Sequence, residues 1–302
     1  MVSQFGQDQY VLNLLDLGGG TRVKRGFIVE AGAASPSHVS NSLLFLEKGY
    51  SLRLIEGNAS MALGWKQVTG DIKLLECYIP YTDDAMNKSL DRFEDLTSDF
   101  DALFLDINGG EWQLLKGMTM YRPKIICVEY DNAYPLSIDY VPSFFGYSPE
   151  TGQASAQAFH RMLTQKRYYF CKAFFQDCIY VSEEFMPAIL SAKIDFQYGT
   201  SYYLETSHEA LYSPQAVFCN QEDRKPSAGV NFYRDKLRAL VNDGHASGAA
   251  HMYSYVLSHA LSAVNVIAEK RSPEYAYHYQ EALRRFVSEY SYLVNPILNV
   301  KH

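Results

Sequence analysis

The sequence predicts an α/β fold: an open, mostly parallel sheet with an antiparallel last strand, followed by a C-terminal helical appendage. Three observations carry this. Residues 26–60 read as strand, glycine turn, helix, strand and acid. Phe27-Ile28-Val29 ends in Glu30 and the turn Ala31-Gly32-Ala33-Ala34-Ser35, a helical segment covers 40–48, and the run 52–55 ends in Glu56. Two further apolar runs, 102–105 and 125–128, stop at Asp106 and at Glu129-Tyr130-Asp131-Asn132. Continuous runs of this length suit strands covered on both faces. After about Phe185 the texture changes, and three segments, 232–241, 249–270 and 273–292, carry helical periodicity.

At 302 residues the chain is long enough for two domains, or one with an appendage. We place a Rossmann-like domain at 1–185 and a mainly helical extension at 186–302. A net charge of -7 and the absence of a basic run argue against nucleic acid as a partner. Cys77, Cys127, Cys171, Cys178 and Cys219 are odd in number and form no C-x-x-C pair, which fits free thiols in a reducing compartment. The N-terminus lacks a cationic start and an apolar signal core, and no stretch reaches the roughly 18 apolar residues of a membrane span. A cytoplasmic protein with no membrane contact is expected.

In chain order, 3–15 reads as a helix with Tyr10, Val11, Leu14 and Leu15 on one side. Residues 17–24, LGGGTRVK, read as a loop, since no Gly-Lys-Ser/Thr follows to make it a phosphate cradle. In the segment 40–48, Leu43, Leu44 and Leu46 form the apolar side. Residues 74–79 make a third strand, and 82–98 carry Met86, Leu90, Phe93 and Leu96 at helix-like spacing. A helix is expected over 112–117 and another over 155–166. The turn-rich stretch 143–157 could form a flap. Residues 168–173 and 178–181 read as an antiparallel pair at the sheet edge, and 186–227 as irregular.

In an open α/β sheet the ligand lies beyond the carboxyl ends of the strands. Glu30, Glu56, Asp106 and Glu129 would make an anionic crevice there. A plain βαβ unit with helix-capping acids is the blander alternative. The turn has one glycine, not the G-x-G-x-x-G that brings a helix onto a pyrophosphate, so a nicotinamide dinucleotide fits poorly. A nucleoside without phosphate fits better, with S-adenosylmethionine the leading candidate. A carboxylate at Glu56 can accept both hydroxyl hydrogens of a ribose.

Several of these pieces recur in order in one family. SQFGQD (3–8), VEAGAASPSHVSNS (29–42), LIEG (54–57), LFLDINGGEW (103–112) and RPKIICVEYDN (122–132) resemble the motifs of the FkbM-type S-adenosylmethionine-dependent methyltransferases. The likeness covers roughly 3–184. It implies a Rossmann-like class I methyltransferase sheet. It implies that Glu30, Gly32 and Ala33 form the methionine-side turn, that Glu56 holds the ribose, and that Gln4, Ser40 and Asn41 line the same pocket. Asp106 and Glu129 would face the acceptor. The chain departs from the pattern at Ala34-Ser35-Pro36-Ser37-His38, where the family has glycine and aspartate, and at Asn108, where it has an acid.

Methyl transfer to a hydroxyl needs a base, and Asp106, Glu129 and Asp131 are the candidates, with His38 another. Asp106, Asn108 and Glu129 could alternatively gather a divalent cation such as Mg. His245, His251 and His259 do not make a zinc set. The leading expectation is O-methylation of a sugar, glycan or secondary-metabolite hydroxyl. The alternative is a methyltransferase-like binding or scaffold protein without catalysis, motivated by residues 34–38 and Asn108. The appendage is expected to bind the acceptor, make a homo-oligomer through its helices, or recruit a partner protein.

Overall fold

The computed structural model describes Ser3, Tyr134 and residues 6–19, 26–37, 40–132, 138–142, 153–174, 176–191, 228–270 and 273–293. Gln4, His38, Cys219 and positions 143–152 of the expected flap lie outside these residues. Seven strands form one sheet: β1 (Phe27–Ala31), β2 (Ser51–Glu56), β3 (Ile72–Glu76), β4 (Ala102–Leu105), β5 (Ile125–Glu129), β6 (Tyr168–Ala173) and β7 (Asp177–Ser182). Their order is β3-β2-β1-β4-β5-β7-β6. β1 to β5 pair in parallel, and β7 runs antiparallel to both β5 and β6. This is the Rossmann-like, mostly parallel sheet expected above. The order reverses between β1 and β4, which puts a crevice at their carboxyl ends.

Strand β4 shows why these runs are unbroken by polar residues. Leu103 and Leu105 pack into one core with Val29, Ile126, Val128 and Phe159. Ala102 and Phe104 pack into a second, with Ile28, Leu52, Leu54 and Phe45. Successive strand side chains point to opposite faces, and both faces are covered. Helices α4 (Ala85–Leu90), α5 (Glu111–Gly117) and α6 (Ala156–Gln165) supply the first core. Helices α1 (Gln7–Gly19), α2 (Leu43–Glu47), α3 (Ala59–Trp65) and α7 (Met186–Ser191) supply the second.

The helices depart from the expectation in ways the packing explains. α1 runs through Leu17-Gly18-Gly19, a stretch expected as loop. A Cβ on Gly18 would sit 2.3 Å from the Phe185 ring, so the glycine is there for close packing. Phe185, Met186 and Ile189 are buried with Val11, Leu14 and Leu15. The start of the supposed irregular stretch is therefore helix α7, seated against α1. α2 begins at Leu43, because the Glu30 carboxylate takes the Asn41 N–H and the Ser42 hydroxyl and holds that segment out of the helix. β3 starts two residues earlier than expected and ends three earlier, at Glu76. Beyond α4, Phe93 and Leu96 reach the core from turns, not from one long helix.

Helices α8 (Ala228–Asn242), α9 (Ala246–Lys270) and α10 (Pro273–Tyr290) build a third core around Leu237, Tyr253, Val256 and Phe286. Tyr134, Ile138 and Tyr140, from the segment after β5, are part of it. That segment is tied to the helices by polar bonds as well. Lys236 of α8 meets Asp131 at 2.5 Å, with 7% and 3% of the two side chains exposed. The Tyr140 hydroxyl donates to Asp243 at 2.6 Å, and the His245 ring lies 3.0 Å from the Asp139 carbonyl oxygen. Among the described residues no helix is long and apolar enough to cross a membrane.

Removing one member of a buried pair leaves the other charged and dry. Lys236→Met should cost about 3–5 kcal/mol in urea unfolding. Adding Asp131→Leu to the same chain should recover most of that loss. A single variant as stable as the parent would show that the pair does not hold the helices to the β5 segment.

Candidate functional site

The turn after β1 is pressed onto the end of β4. Gly32 has φ +83, and a Cβ built on it would lie 1.6 Å from the Asp106 carbonyl oxygen. No side chain fits there, and L-residues disfavour that φ. The turn is stitched to β2 by the Gly32 and Ala33 N–H groups, which donate to the Ile55 carbonyl at 2.9 and 3.3 Å. Trp65 of α3 donates its indole N–H to the Ala33 and Ala34 carbonyls at 3.3 and 3.1 Å. Ala34, one of the departures from the family pattern, takes φ +45, a conformation glycine adopts more readily. Its N–H donates to Glu56 Oε2 at 2.7 Å, which holds it in place.

Glu56 is 8% exposed and is fixed from two sides. Oε2 accepts from Ala34, and Oε1 accepts from the Asn58 N–H at 2.6 Å. Asn58 in turn caps α3, its side chain accepting from the Ser60 N–H. Two backbone bonds leave further lone pairs on both oxygens, since a carboxylate offers about four. Those face a cavity of about 340 Å³. Known small-molecule pockets start near ~300 Å³. The cavity spans the ends of four strands: Gly32 and Ala34 after β1, Glu56 to Asn58 after β2, Tyr78 to Tyr81 after β3, and Asp106 to Asn108 after β4. The Tyr78 ring lies against Gly57, where a Cβ would meet it at 2.3 Å, and the residue is 80% exposed.

The structure therefore brings Gly32, Glu56, Asp106 and Asn108 together. The other expected residues sit around them. Ala33 is buried in the core behind the turn. Glu30 is 1% exposed and binds the segment holding Ser40 and Asn41: Oε1 accepts the Asn41 N–H at 3.0 Å, and Oε2 the Ser42 hydroxyl at 2.5 Å. Ser40 Oγ accepts from the Ser42 and Leu43 N–H groups. These three shape the wall and do not line the cavity. Glu129 is hydrogen-bonded to Asp106 and to Gln153, and Asp131 is held by Lys236. Neither is part of the cavity lining, so of the three candidate acids only Asp106 faces it. Among the described residues no group of three or more His, Cys, Asp or Glu side chains could hold a metal, so the Mg expectation at Asp106, Asn108 and Glu129 finds no ligand set.

Burial raises the proton affinity of the acids packed near Asp106. Glu30, Glu111 and Asp177 are each pushed up to about 7, first by desolvation, with the Asp106 charge adding to it. Glu129 is pushed much further, again by burial first and then by Asp106. Glu129 is thus the proton-bearing member of the pair and donates to Asp106. Asp177 lies opposite Glu129 across the β5–β7 pairing and accepts from Gln7 Nε2 at 3.2 Å. Sequence reasoning passed over Tyr78, Tyr81, Glu111 and Asp177. The acid opening β7 and the acid closing D-I-N-G-G-E were visible, but neither ends a parallel strand.

No protein-family model matches this chain, and no curated protein matches it. Among solved structures it is similar to a TehB-like SAM-dependent methyltransferase from Corynebacterium glutamicum at 9% identity and TM-score 0.37, over 60% of this chain and 89% of that one. It is similar to a SAM-dependent methyltransferase from Aquifex aeolicus at 12% identity and TM-score 0.31, over 57% of this chain and 96% of that one. At these scores the likenesses carry no argument about activity.

Because Glu30, Glu111 and Asp177 bind protons more tightly folded than unfolded, the folded chain holds the extra protons above the unfolded values of 4.5 and 3.8. Stability then falls as pH rises toward about 7, where these groups ionise in the folded state. His160, lowered by burial, works the other way, one group against these three and Glu129. The melting temperature should drop by several degrees between pH 5.5 and 8 in calorimetry. A rise over that interval would contradict this account of the acids.

Proposed function

We propose that this chain is an S-adenosylmethionine-dependent methyltransferase that methylates a hydroxyl of a sugar, glycan or secondary metabolite. The observation that carries the reading is Glu56, pinned by two backbone amides at the mouth of an open cavity beside the Gly32 turn. A carboxylate so fixed accepts the two ribose hydroxyls without reorganising. Tyr78 and Tyr81 offer aromatic surface to the adenine. The Asp106 side chain, which lines the cavity, favours a positively charged sulfonium on that side. The acceptor class rests on the sequence resemblance.

The chemistry is an in-line displacement. As the acceptor oxygen bonds the methyl carbon, the carbon–sulfur bond breaks and S-adenosylhomocysteine leaves. The hydroxyl proton passes to Asp106, and holding oxygen, carbon and sulfur collinear supplies much of the rate. A second reading, a methyltransferase-like binding protein, is favoured by one observation: Glu30, Glu129 and Asp131 are all engaged inside the protein.

Titration calorimetry with S-adenosylmethionine and S-adenosylhomocysteine should show binding, and Glu56→Ala should weaken it at least about tenfold, the loss of charge-assisted bonds to a buried carboxylate. No binding at millimolar ligand would sink the methyltransferase reading. Binding untouched by Glu56→Ala would sink the assignment of the site. Methyl-labelled cofactor incubated with hydroxylated acceptors separates the two readings. Transfer abolished in Asp106→Asn, with cofactor binding retained, supports the enzyme; binding without transfer to any acceptor supports the binding protein.

A further inference from the structure

The segment after β4 supplies Asp106, Ile107 and Asn108 to the cavity, yet it has an unfavourable backbone. Asn108, Gly109 and Gly110 have φ of +59, +122 and +86 in succession. Asn108 carries a Cβ into the left-handed region, and Gly110 has φ +86 where α5 begins. Such a run needs an outside hold. Ladder bonding ends just before it, with the Asp106 N–H donating to the Ala31 carbonyl at 3.0 Å. The next amides turn away from the sheet, and a single side chain meets them. Glu111, wholly buried in the first turn of α5, places one oxygen, Oε1, 3.1 Å from the Ile107 nitrogen and 2.7 Å from the Gly109 nitrogen.

We propose that Glu111 is the positioning residue of the site: its Oε1 clamps the Ile107 and Gly109 amides and thereby sets where Asp106 and Asn108 stand in the cavity. This rests on the cavity being the cofactor site. The two bonds straddle Asn108, so its backbone is fixed on both sides by one atom. Burial of the carboxyl has a cost that packing alone would not demand, since an apolar side chain would fill the space. Its other oxygen, Oε2, is buried with no hydrogen-bond partner. The polar contacts of the buried side chain are thus made through Oε1. The carboxyl also takes the Glu111 N–H, the first amide of α5, so it ties the start of the helix to the same loop. α5 is fastened elsewhere too, by the Trp112 indole N–H donating to the Ala158 carbonyl at 3.2 Å and by Leu114 and Leu115 in the core.

The chemistry required of residue 111 is one buried acceptor oxygen, with or without charge. Glutamine keeps it and alanine deletes it. Amide hydrogen exchange read residue by residue tests the clamp with no ligand present. In the wild type and in Glu111→Gln, the Ile107 and Gly109 amides should be protected. In Glu111→Ala their exchange should quicken at least tenfold, while Leu103 and Phe104 in β4 keep their protection. If Glu111→Ala loosens β4 to the same extent, the residue is only structural and the proposal is overturned. If both amides exchange freely in the wild type, it is overturned without any variant, so a Glu111→Ala chain that fails to fold still leaves a decisive measurement. The consequence for the site is read with S-adenosylhomocysteine. Its Kd should rise about tenfold in Glu111→Ala and stay within twofold in Glu111→Gln. An unchanged Kd in Glu111→Ala would overturn the link from clamp to cavity. A wild type that binds no S-adenosylhomocysteine defeats the cofactor reading instead, and the exchange result then stands on its own.

Discussion

A single close approach, the backbone of Gly32 against the carbonyl of Asp106, sets the geometry of the crevice. Strands β1 and β4 are neighbours at the point where strand order reverses, so the chain leaving each must turn away in opposite directions. The turn after β1 does so within contact distance of β4, and only a residue without Cβ permits it. From that contact the rest follows. The Ile55 carbonyl can reach the Gly32 and Ala33 amides, Ala34 is driven to positive φ, and its N–H is delivered to Glu56. The carboxylate is thus oriented by the same turn whose position it helps to fix. Trp65 closes the loop from the far side through two carbonyls.

Strands were easier to read from the sequence than helices, for a physical reason. Strands buried on both faces must be apolar at every position, and Ala102–Leu105 announces itself whatever its neighbours do. Helix limits depend on partners distant in sequence. Nothing in the run 40–48 reveals that Glu30 will hold Asn41 and Ser42 out of the helix, and Gly18 looks like a loop residue until Phe185 is packed against it. α3 was overlooked although Asn58 and Ser60 make an ordinary cap. In the site, Gly32, Glu56, Asp106 and Asn108 were legible because each stands at a strand end, where topology alone assigns a role. Tyr78 and Glu111 were not, because their parts depend on how a loop folds back after the strand.

The acids show how topology and burial divide one residue type into several roles. Strand-end carboxylates converge on one small region, and like charges at close range cannot all ionise there. The outcome is graded by exposure and partners. Glu129, deep and beside Asp106, carries its proton. Glu30, Glu111 and Asp177 are each pushed up to about 7, and each accepts amide, hydroxyl or carboxamide donors on at least one oxygen. Asp106 is left as the acid that receives a hydrogen bond from Glu129 and opens on the cavity.

The C-terminal helices complete this division. Asp131 follows β5 by two residues and by position alone was as good a base as Asp106. Lys236 withdraws it: the ammonium lies 2.5 Å from the buried carboxylate and engages it inside the protein, away from the cavity lining. The same bond, with Tyr140 and Asp139, fastens the segment after β5 to the third core. The appendage is therefore joined to the strand end that neighbours Asp106 and Glu129. Asp131 lies two residues beyond Glu129, whose carboxyl is hydrogen-bonded to Asp106 at the cavity, so the anchor of α8 and the edge of the site share one short stretch of chain.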